Sequence, residues 1–284
     1  MDKELKGIEV VRRITKELKV EVEQLKNDNI QPTLAIVRVG NKEDDIYYQQ
    51  SAVKRCTGIG IAVEEHIYDE SITEQELINE IVNLNLDEAV NGVLILRPLP
   101  KHITDSLVCA ALDPAKDIDG ITDGSLAGVM KNDNTGFAPC TARACIEILK
   151  HFEIDPSGQN VVVIGRSLVV GKPLALMLIS LNATITVCHT RTKDLEAVAS
   201  AADILIAAAG RAKMVGREFV KPSAIVIDVG INADEDGKMV GDVDFDDVVD
   251  VVSHITPVPG GVGTVTTAVL AMHVLEATKK QLGL

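Results

Sequence analysis

Apolar and polar positions follow two alternating patterns along the chain. Short apolar runs rich in β-branched residues predict buried strands, and longer amphipathic runs predict helices. The runs predicted as strands are Pro32–Gly40, 61–68, 92–100, 160–164, 183–189, 203–210, 223–230 and 251–256. The runs predicted as helices are Asp2–Asn29, Asp44–Thr57, 73–85, Thr141–Ile154, 174–181 and Thr266–Leu282. This alternation is typical of an α/β fold with parallel sheets.

Local signals refine the predicted elements. Thr73 and Glu76 have capping-box spacing at the start of a predicted helix. The region 112–139 is rich in Gly, Asp and Asn and is expected to be irregular, as functional or linking loops are. We expect the helix 141–154 to be a hinge between two domains, and the last helix to return to the first domain.

The stretch Asn160–Pro173, NVVVIGRSLVVGKP, joins a predicted strand to a predicted helix. Its apolar run ends at Gly165, and an interrupted glycine loop leads to Gly171. This order is typical of a buried parallel strand followed by a helix whose N-terminus can hold an anion. The spacing G-x-S-x-x-x-G places Ser167 where the dinucleotide fingerprint has a glycine. A phosphate-binding turn and an ordinary tight turn both remain open at this point.

The end of the next predicted strand bears on which dinucleotide would bind. An NAD-specific site has an acidic residue there that accepts the ribose 2′-hydroxyl. This strand ends with His189, Thr190 and Arg191, and the first acidic residue is Asp194. A hydroxyl and a guanidinium suit a 2′-phosphate, and Arg166 adds a second cation. The pattern favours NADP over NAD, and the alternative is that both arginines are merely solvated.

A second glycine-rich loop, within Ile255–Leu270, leaves a predicted strand and enters the last predicted helix. It contains Pro259, Gly260 and Gly261 in the run TPVPGGVG. Rigid prolines and glycines without side chains let a flat ligand approach the backbone closely. We therefore expect a ligand-binding loop here.

Composition excludes several classes of function. The formal net charge is −14 without a Lys/Arg-rich block, so no nucleic acid is expected as a partner. No apolar run approaches the roughly 18–20 residues that span a bilayer, and the N-terminal region resembles neither a signal nor a transit peptide. We therefore expect no membrane partner and a cytoplasmic location. Five cysteines without a CxxC pair and six histidines without metal spacing predict reduced thiols and no metal.

Seven motifs occur along the chain in a fixed order. They are PAKDIDG (Pro114–Gly120), FAPCT (137–141), VVVIGRSLVVGKP, ATITVCHTRT, IDVGIN (227–232), GDVDF (241–245) and TPVPGGVG. Together they resemble the methylenetetrahydrofolate dehydrogenase/cyclohydrolase family over essentially the whole chain. The resemblance implies a two-domain α/β fold with a cleft between an N-terminal catalytic domain and a Rossmann-type NADP-binding domain. It also implies a homodimer that acts on tetrahydrofolate derivatives.

The resemblance further implies domain bounds and site residues. Residues 1–142 plus 266–284 would form the folate-binding catalytic domain, and 143–265 the NADP-binding domain. The implied cofactor-binding residues are Gly165, Arg166, Ser167, Gly171, Thr190, Arg191 and Ile231. The implied folate-binding residues are Tyr48, Asp119, Pro259, Gly260 and Gly261, of which Tyr48 and Asp119 are the catalytic candidates. Tyr48 is expected to stack on the pterin, and Asp119 to accept hydrogen bonds from its N–H groups. The alternatives are a core aromatic and a turn cap.

Two positions depart from the family pattern. Ala52 stands where the family has a lysine, and Leu96 stands where it has a glutamine. Hydride transfer from the methylene carbon of the substrate needs mainly alignment and electrostatics, whereas hydrolysis needs a group that acts on water. We therefore expect NADP-dependent oxidation of 5,10-methylenetetrahydrofolate to 5,10-methenyltetrahydrofolate, with weak or absent cyclohydrolase activity.

Two alternatives to this function remain open. A relocated Lys54 or Arg97 would keep the chain fully bifunctional, with cyclohydrolase activity. Lys54 is expected to lie too far along its helix, and strand alternation is expected to direct Arg97 to the side opposite Leu96. A non-catalytic NADP-binding regulatory module is the second alternative. Asp119 and the PVPGG loop argue against it, because a cofactor sensor needs no pterin site.

Overall fold

The computed structural model of the protein describes residues 3–284. The first elements in chain order are α1 Gly7–Asn27, β1 Thr33–Val39, α2 Glu43–Ile59, β2 Ala62–Tyr68, α3 Glu74–Leu86, β3 Gly92–Ile95, α4 Asp105–Ala111 and α5 Asp123–Lys131. The next are α6 Cys140–His151, β4 Asn160–Ile164, α7 Gly171–Ser180, β5 Thr184–Cys188, α8 Leu195–Ser200, β6 Ile204–Ala207 and β7 Ile225–Asp228. The last are β8 Asn232–Ala233, β9 Met239–Val240, α9 Phe245–Val248, β10 His254–Ile255 and α10 Val262–Leu282. Within residues 3–284, no helix is both long and apolar enough to cross a membrane.

The chain divides into two compact units. One unit contains Arg13–Cys140 and Thr267–Leu284, and the other contains Thr141–Thr266 with the segment before Arg13. That segment was expected in the first domain, which was wrong for its described part. The reason is backbone pairing, because Leu5 N–H donates to the Ile255 carbonyl at 2.8 Å and Ile255 N–H donates to Lys3 at 2.9 Å. The other domain bounds stay a prediction.

The N-terminal pairing also shortens the first predicted helix. Helix α1 begins at Gly7 rather than at Asp2, and Asp2 itself lies outside the described residues. Glu4 forms a parallel bridge with Ile255, so the described residues before α1 are extended and not helical. Amphipathic spacing alone does not show that a segment is used as an edge strand.

The region 112–139 is more regular than expected. It contains α5, whose N-cap Thr122 accepts a hydrogen bond from Ser125 N–H at 3.1 Å, and which ends at Asn132 in the left-handed conformation. The expectation of an irregular region was therefore wrong here, because two capping residues delimit a short helix. The short helices α4, α8 and α9 were not predicted either. The capping box of Thr73 and Glu76 at the start of α3 is confirmed.

The unit of Arg13–Cys140 and Thr267–Leu284 contains a parallel sheet with strand order β2-β1-β3. Every position of β1 and of β3 is buried, as in strands covered on both faces. Alternate apolar side chains of β1 and β3 pack with those of α3 and α4 in one core cluster. Candidate site residues follow β3 and lie in α2 and in the loop before α5.

The other unit contains a parallel sheet with strand order β10-β7-β6-β4-β5. Strands β4 and β6 are central and almost wholly buried, whereas β5 is an edge strand with mostly exposed side chains. All five strands run in the same direction, so the loops after β4, β5, β6 and β7 share one edge of the sheet. Ligands of such sheets bind at this carboxyl edge.

Candidate functional site

The loop between β4 and α7 needs glycine at both ends. Gly165 has φ +131°, and a Cβ atom there would lie 2.1 Å from the Ala208 carbonyl oxygen. A Cβ atom on Gly171 would lie 2.1 Å from the Gly165 carbonyl oxygen. No side chain fits such distances, so both glycines allow strand, loop and helix to pack closely. Both glycines are required by close backbone packing. This requirement is the same in an ordinary tight turn and in a phosphate-binding turn, so it does not distinguish the two interpretations.

The same loop holds its own backbone and exposes its polar side chains. The Ser167 Oγ accepts a hydrogen bond from Val170 N–H at 3.1 Å, and the Ser167 carbonyl accepts one from Lys172 N–H at 3.1 Å. Arg166 and Ser167 are both exposed. Helix α7 follows directly, so its N-terminus lies at this loop, as in anion-binding helix termini, although Lys172 N–H is already bonded to Ser167 and Pro173 has no N–H.

The loop after β5 lies beside the loop after β4, because Ile164 and Cys188 are paired at the ends of these strands. It is closed by local hydrogen bonds, among them His189 N–H to the Thr192 hydroxyl at 2.9 Å. Thr190 and Arg191 are exposed in it. The structure therefore places Arg166, Thr190 and Arg191 at one edge of the sheet. A phosphate at this edge would meet cations and hydroxyls rather than a carboxylate.

Two buried aspartates, which the sequence did not single out, hold the loops at the same edge. The Asp242 carboxylate accepts from the N–H groups of Ala209 at 2.6 Å, Gly210 at 3.0 Å and Arg211 at 2.8 Å, and from Asn232 Nδ2 at 2.9 Å. Asp242 is fully buried. Its fixed carboxylate sets the course of the chain after β6. The signal that could have found it is GDVDF, which was used only for the resemblance.

Asp228, at the end of β7, is the second of these aspartates. It accepts from the N–H groups of Gly230, Asp242 and Val243, each at 3.0 Å. Burial raises the pKa of Asp228 to about 6, against the lowering effect of these three hydrogen bonds. The turn that Asp228 holds leads to Ile231, whose side chain is 63% exposed. An exposed isoleucine beside the sheet edge offers an apolar contact to a ligand.

The loop with Pro259, Gly260 and Gly261 lies in the same unit as the loops above. Gly260 has φ +110°, and its carbonyl accepts a hydrogen bond from Gly7 N–H at 2.8 Å. A Cβ atom on Gly7 would lie 2.3 Å from the Gly261 carbonyl oxygen. The glycine that this packing requires is therefore Gly7, at the start of α1. Pro259 and Gly260 remain exposed.

Tyr48 and Asp119 are brought together in the unit of Arg13–Cys140 and Thr267–Leu284. The pKa of Tyr48 is raised well above its usual value by burial first, and then by the nearby Asp119 and Cys140. Its neighbour Tyr47 is 77% exposed, so the two tyrosines of α2 differ clearly in their exposure to solvent. A partly buried phenol beside a carboxylate is suited to contacting a polar aromatic ligand.

The Asp119 carboxyl is desolvated, and this raises its pKa to about 6. The Asp117 carboxylate also raises this pKa, whereas a hydrogen bond with the Cys140 thiol and the charge of Arg97 lower it. Among the described residues, that thiol is its hydrogen-bond partner, so most of its acceptor positions remain for a ligand. A carboxylate kept from water but not consumed by its own backbone is a candidate binding group.

The two positions that depart from the family pattern are both buried and apolar. Ala52 in α2 is 0% exposed, and Leu96 after β3 is 6% exposed. Lys54 is exposed, and the expectation that it lies away from the site stays a prediction. Neither Ala52 nor Leu96 has a group that acts on water.

Arg97 lies just past the end of a regular strand. Strand β3 ends at Ile95, so the argument from strand alternation does not extend to Arg97, and the side to which Arg97 points stays a prediction. Its guanidinium donates to Asp105 at 2.6 Å and to Cys109 at 3.6 Å, and it is near enough to Asp119 to lower the pKa of that carboxyl. The site therefore contains a fixed cation.

A cavity of about 550 Å³ lies at the opposite edge of the five-stranded sheet. It is lined by the first residues of three strands, Ile204, Ile225 and His254. Ligands of parallel sheets bind at the carboxyl ends of the strands, so we do not place the dinucleotide there. Among residues 3–284, no group of three or more His, Cys, Asp or Glu side chains is arranged to hold a metal ion.

Comparison with known proteins gives full-length matches. A model of the tetrahydrofolate dehydrogenase/cyclohydrolase catalytic domain matches residues 5–119, and a model of the NAD(P)-binding domain matches residues 139–282. The bifunctional protein FolD of Clostridioides difficile is 50% identical over 277 residues, 98% of this chain and 96% of that protein.

Two solved structures extend this likeness to the fold. The FolD methylenetetrahydrofolate dehydrogenase/cyclohydrolase of Campylobacter jejuni is 40% identical with a TM-score of 0.95, over 97% of this chain and 98% of that chain. The Trypanosoma brucei enzyme, complexed with NADP and an inhibitor, is 32% identical with a TM-score of 0.92, over 99% of both chains. The predicted two-domain α/β fold with parallel sheets is confirmed.

Proposed function

Because the chain belongs to the tetrahydrofolate dehydrogenase/cyclohydrolase family, we propose that it oxidises 5,10-methylenetetrahydrofolate to 5,10-methenyltetrahydrofolate with NADP. The observation that carries the proposal is the Asp119 carboxyl, desolvated, beside Tyr48, and largely free of bonds to its own backbone. The names of the relatives support an enzyme over a regulatory module.

The residues at the carboxyl edge of the five-stranded sheet fit NADP. Arg166, Ser167, Thr190 and Arg191 are exposed there and would hold the 2′-phosphate, and the N-terminus of α7 would hold the pyrophosphate. When bound, NADP supplies a hydride acceptor at C4 of its nicotinamide. Ile231 gives an apolar contact beside the loops that Asp228 and Asp242 hold in place.

The folate-binding residues act by orientation. Asp119 accepts hydrogen bonds from the pterin N–H groups, and Tyr48 stacks on the pterin ring. The nitrogen lone pairs of the substrate stabilise the cation that develops as hydride leaves the methylene carbon. Alignment therefore supplies most of the rate enhancement, and no side-chain base is required. Pro259, Gly260 and Gly261 complete the folate-binding set in this proposal.

We also propose a second activity, hydrolysis of 5,10-methenyltetrahydrofolate. The relatives' names as bifunctional proteins favour it over the expectation of weak or absent activity. In this chain Arg97 would take the role of the missing family lysine, since it is held by Asp105 and lies near Asp119. A guanidinium stays protonated, so Arg97 does not transfer a proton. It orients the attacking water and stabilises the hydroxide character that develops as this water gives one proton to solvent, and solvent returns a proton to the leaving nitrogen.

We further propose that two copies of the chain form a homodimer through β5. This edge strand has backbone groups available for pairing, and Val187 is 38% exposed on it. Ile179 and Leu181 at the end of α7 are 54% and 40% exposed. Val187→Lys is expected to give a monomer by light scattering, and a monomeric wild type would contradict the assignment.

A paired assay tests both activities. Purified protein receives methylenetetrahydrofolate with NADP, and the same substrate with NAD. In a third reaction it receives methenyltetrahydrofolate without cofactor. NADPH formation and methenyl hydrolysis above the buffer rate are the expected results, and at pH 8, where Asp119 stays ionised, Arg97→Ala should reduce the hydrolysis far more than NADPH formation. If neither nicotinamide is reduced, the dehydrogenase proposal is wrong. If hydrolysis does not exceed the buffer rate, the earlier expectation of absent cyclohydrolase activity is correct.

A further inference from the structure

His273, on α10, lies beside the loop that carries Asp119. It is 1% exposed, and its Nδ1 lies 2.8 Å from the carbonyl oxygen of Ile118. A carbonyl oxygen only accepts hydrogen bonds, so Nδ1 carries the proton and donates it. Ile118 immediately precedes Asp119. The bond therefore fixes the peptide group from which the Asp119 side chain extends.

Cys140, the first residue of α6, contacts the same group of atoms. Its Sγ lies 3.3 Å from the Ile118 carbonyl oxygen and 3.7 Å from His273 Nδ1, and its thiol is hydrogen-bonded with the Asp119 carboxylate. Because Nδ1 already carries a proton, it does not accept from the thiol. The single thiol hydrogen is therefore donated to an oxygen, either that of the Ile118 carbonyl or that of the Asp119 carboxylate.

The surroundings hold the imidazole in one orientation. The Phe137 ring packs on the His273 ring with centroids 5.1 Å apart, and Lys280 Nζ lies 4.2 Å from the centre of the Phe137 ring. Phe137 is 4% exposed and Cys140 is 2% exposed. In such a dry environment the imidazole and the thiol keep their hydrogen bonds to the Asp119 loop, because water does not replace them.

Resting on the function proposed above, we propose that His273 and Cys140 are positioning residues that fix the direction of the Asp119 carboxylate toward the pterin. Neither residue contacts substrate in this proposal. His273 holds the backbone on one side of Asp119, and the Cys140 thiol holds the carboxylate itself. The alternative is that both are merely buried core residues whose polar atoms happen to be satisfied.

The two roles differ in their effect on the charge of Asp119. The charged and titratable groups that face Asp119 are Asp117, Tyr48, Arg97 and Cys140. Donation from the thiol favours the charged carboxylate, so its removal is expected to raise the pKa of Asp119. A core residue that only fills space would not change this pKa.

The test for Cys140 is the pH profile of kcat/KM for methylenetetrahydrofolate at saturating NADP. Cys140→Ala should move the acidic limb to higher pH and raise KM about tenfold, the cost of misdirecting one charged hydrogen bond. Cys140→Ser keeps a donor and should leave the acidic limb in place. Cys145→Ala is the matched control, because Cys145 is an equally buried thiol that donates to Thr141 in its own helix.

The test for His273 compares three side chains. In His273→Asn the amide nitrogen can occupy the position of Nδ1, in His273→Gln the donor is displaced, and in His273→Leu it is absent. The KM for methylenetetrahydrofolate should rise in the Gln and Leu variants and be restored toward wild type by Asn. The KM for NADP should stay unchanged in all three. Thermal unfolding of each variant shows whether it is folded, and the Asn and Gln pair decides the question if Leu fails to fold.

The outcomes separate this proposal from the proposed function. If wild type reduces NADP but Cys140→Ala and Cys145→Ala have the same pH profile, the positioning role is wrong. Equal KM values for the Asn and Gln variants would overturn it as well. If wild type does not reduce NADP, the dehydrogenase proposal is wrong. In that case the affinity for tetrahydrofolate is measured by calorimetry on the same variants. The positioning role then predicts weaker binding in the variants whose KM was expected to rise and unchanged binding in the controls.

Discussion

Asp117 and Asp119 are two residues apart in one loop, but their carboxylates have different partners. Asp117 is fully buried and accepts from Ile121 N–H at 3.0 Å, Thr122 N–H at 2.8 Å and the Ser125 hydroxyl at 2.6 Å. Asp119 is hydrogen-bonded with the Cys140 thiol, and the charges of Asp117 and Arg97 act on its pKa in opposite directions. One carboxylate builds the loop, and the other is available to a ligand.

The first prediction separates these two roles. Asp117→Asn should lower the free energy of unfolding by about 2–4 kcal/mol. The substitution replaces one accepting oxygen by an NH₂ group, which cannot accept from the buried donors around it. Asp119→Asn should not lower the melting temperature, since burial already opposes its charge, but it should lower kcat/KM for methylenetetrahydrofolate about 100-fold. Denaturation and steady-state kinetics on both variants check this. Equal losses of stability would contradict it.

The second prediction concerns pH. The pKa of Asp119 is raised to about 6, so its carboxylate is lost as pH falls through that value. Pterin recognition requires the carboxylate, and kcat/KM should therefore be level above the pKa and fall below it. The raised pKa also means that ionisation of Asp119 costs stability, which should decline as pH rises from about 4 to 6. A kcat/KM without an acidic limb would show that Asp119 is not the binding group.

The third prediction compares two glycines with positive φ. A Cβ on Gly165 would lie 2.1 Å from the Ala208 carbonyl oxygen, whereas nothing lies within 4 Å of a Cβ on Gly210, which has φ +65°. Gly165→Ala should destabilise by about 3 kcal/mol or more and weaken NADP binding, because the backbone must move. Gly210→Ala should lower the free energy of unfolding by only about 1–2 kcal/mol, which is the cost of holding an alanine in the left-handed conformation. Chemical denaturation and NADP titration measure both, and similar costs would refute the packing argument.

The fourth prediction concerns the choice of dinucleotide. Arg166→Ala or Arg191→Ala should raise the KM for NADP about 10–100-fold and leave the KM for NAD nearly unchanged, because only NADP has the 2′-phosphate. Arg217→Ala is the control, since Arg217 pairs with Asp247 at 2.6 Å. A parallel loss for both dinucleotides would mean that neither arginine meets the 2′-phosphate.

The fifth prediction concerns the two apolar replacements. Leu96→Gln with Ala52→Lys should raise methenyl hydrolysis about tenfold or more, because the pair restores groups that polarise water. Ala52 is fully buried, so the lysine is also expected to lower stability. Ala52→Leu has similar bulk without the amine and should give no gain in hydrolysis. If the leucine control gains as much, the added amine is not the cause.

The sequence predicted the parallel sheets well, because buried parallel strands appear in a sequence as unbroken apolar runs between glycines. It missed helix α5, which is short. It also missed the extended segment before Gly7, whose conformation is set by pairing with Ile255. Such pairing joins residues about 250 positions apart, and no local signal reports it.

The candidate site was predictable only where one residue type carries the chemistry. Asp119, Arg166 and Thr190 were named from spacing and resemblance. Asp242 and His273 were not, since their roles arise from backbone groups that only the folded chain brings to them. The direction of Arg97 could not be predicted from strand alternation, because β3 ends at Ile95.

Transfer of a deuterium label is the most direct test of the central claim. The protein is mixed with methylenetetrahydrofolate deuterated at the methylene carbon and with NADP, and the NADPH is analysed by mass spectrometry. The account predicts one deuterium atom at C4 of the nicotinamide for each methenyl group formed from the doubly deuterated methylene carbon. It also predicts a much lower rate for Asp119→Asn. NADPH without deuterium, or no NADPH at all, would contradict it.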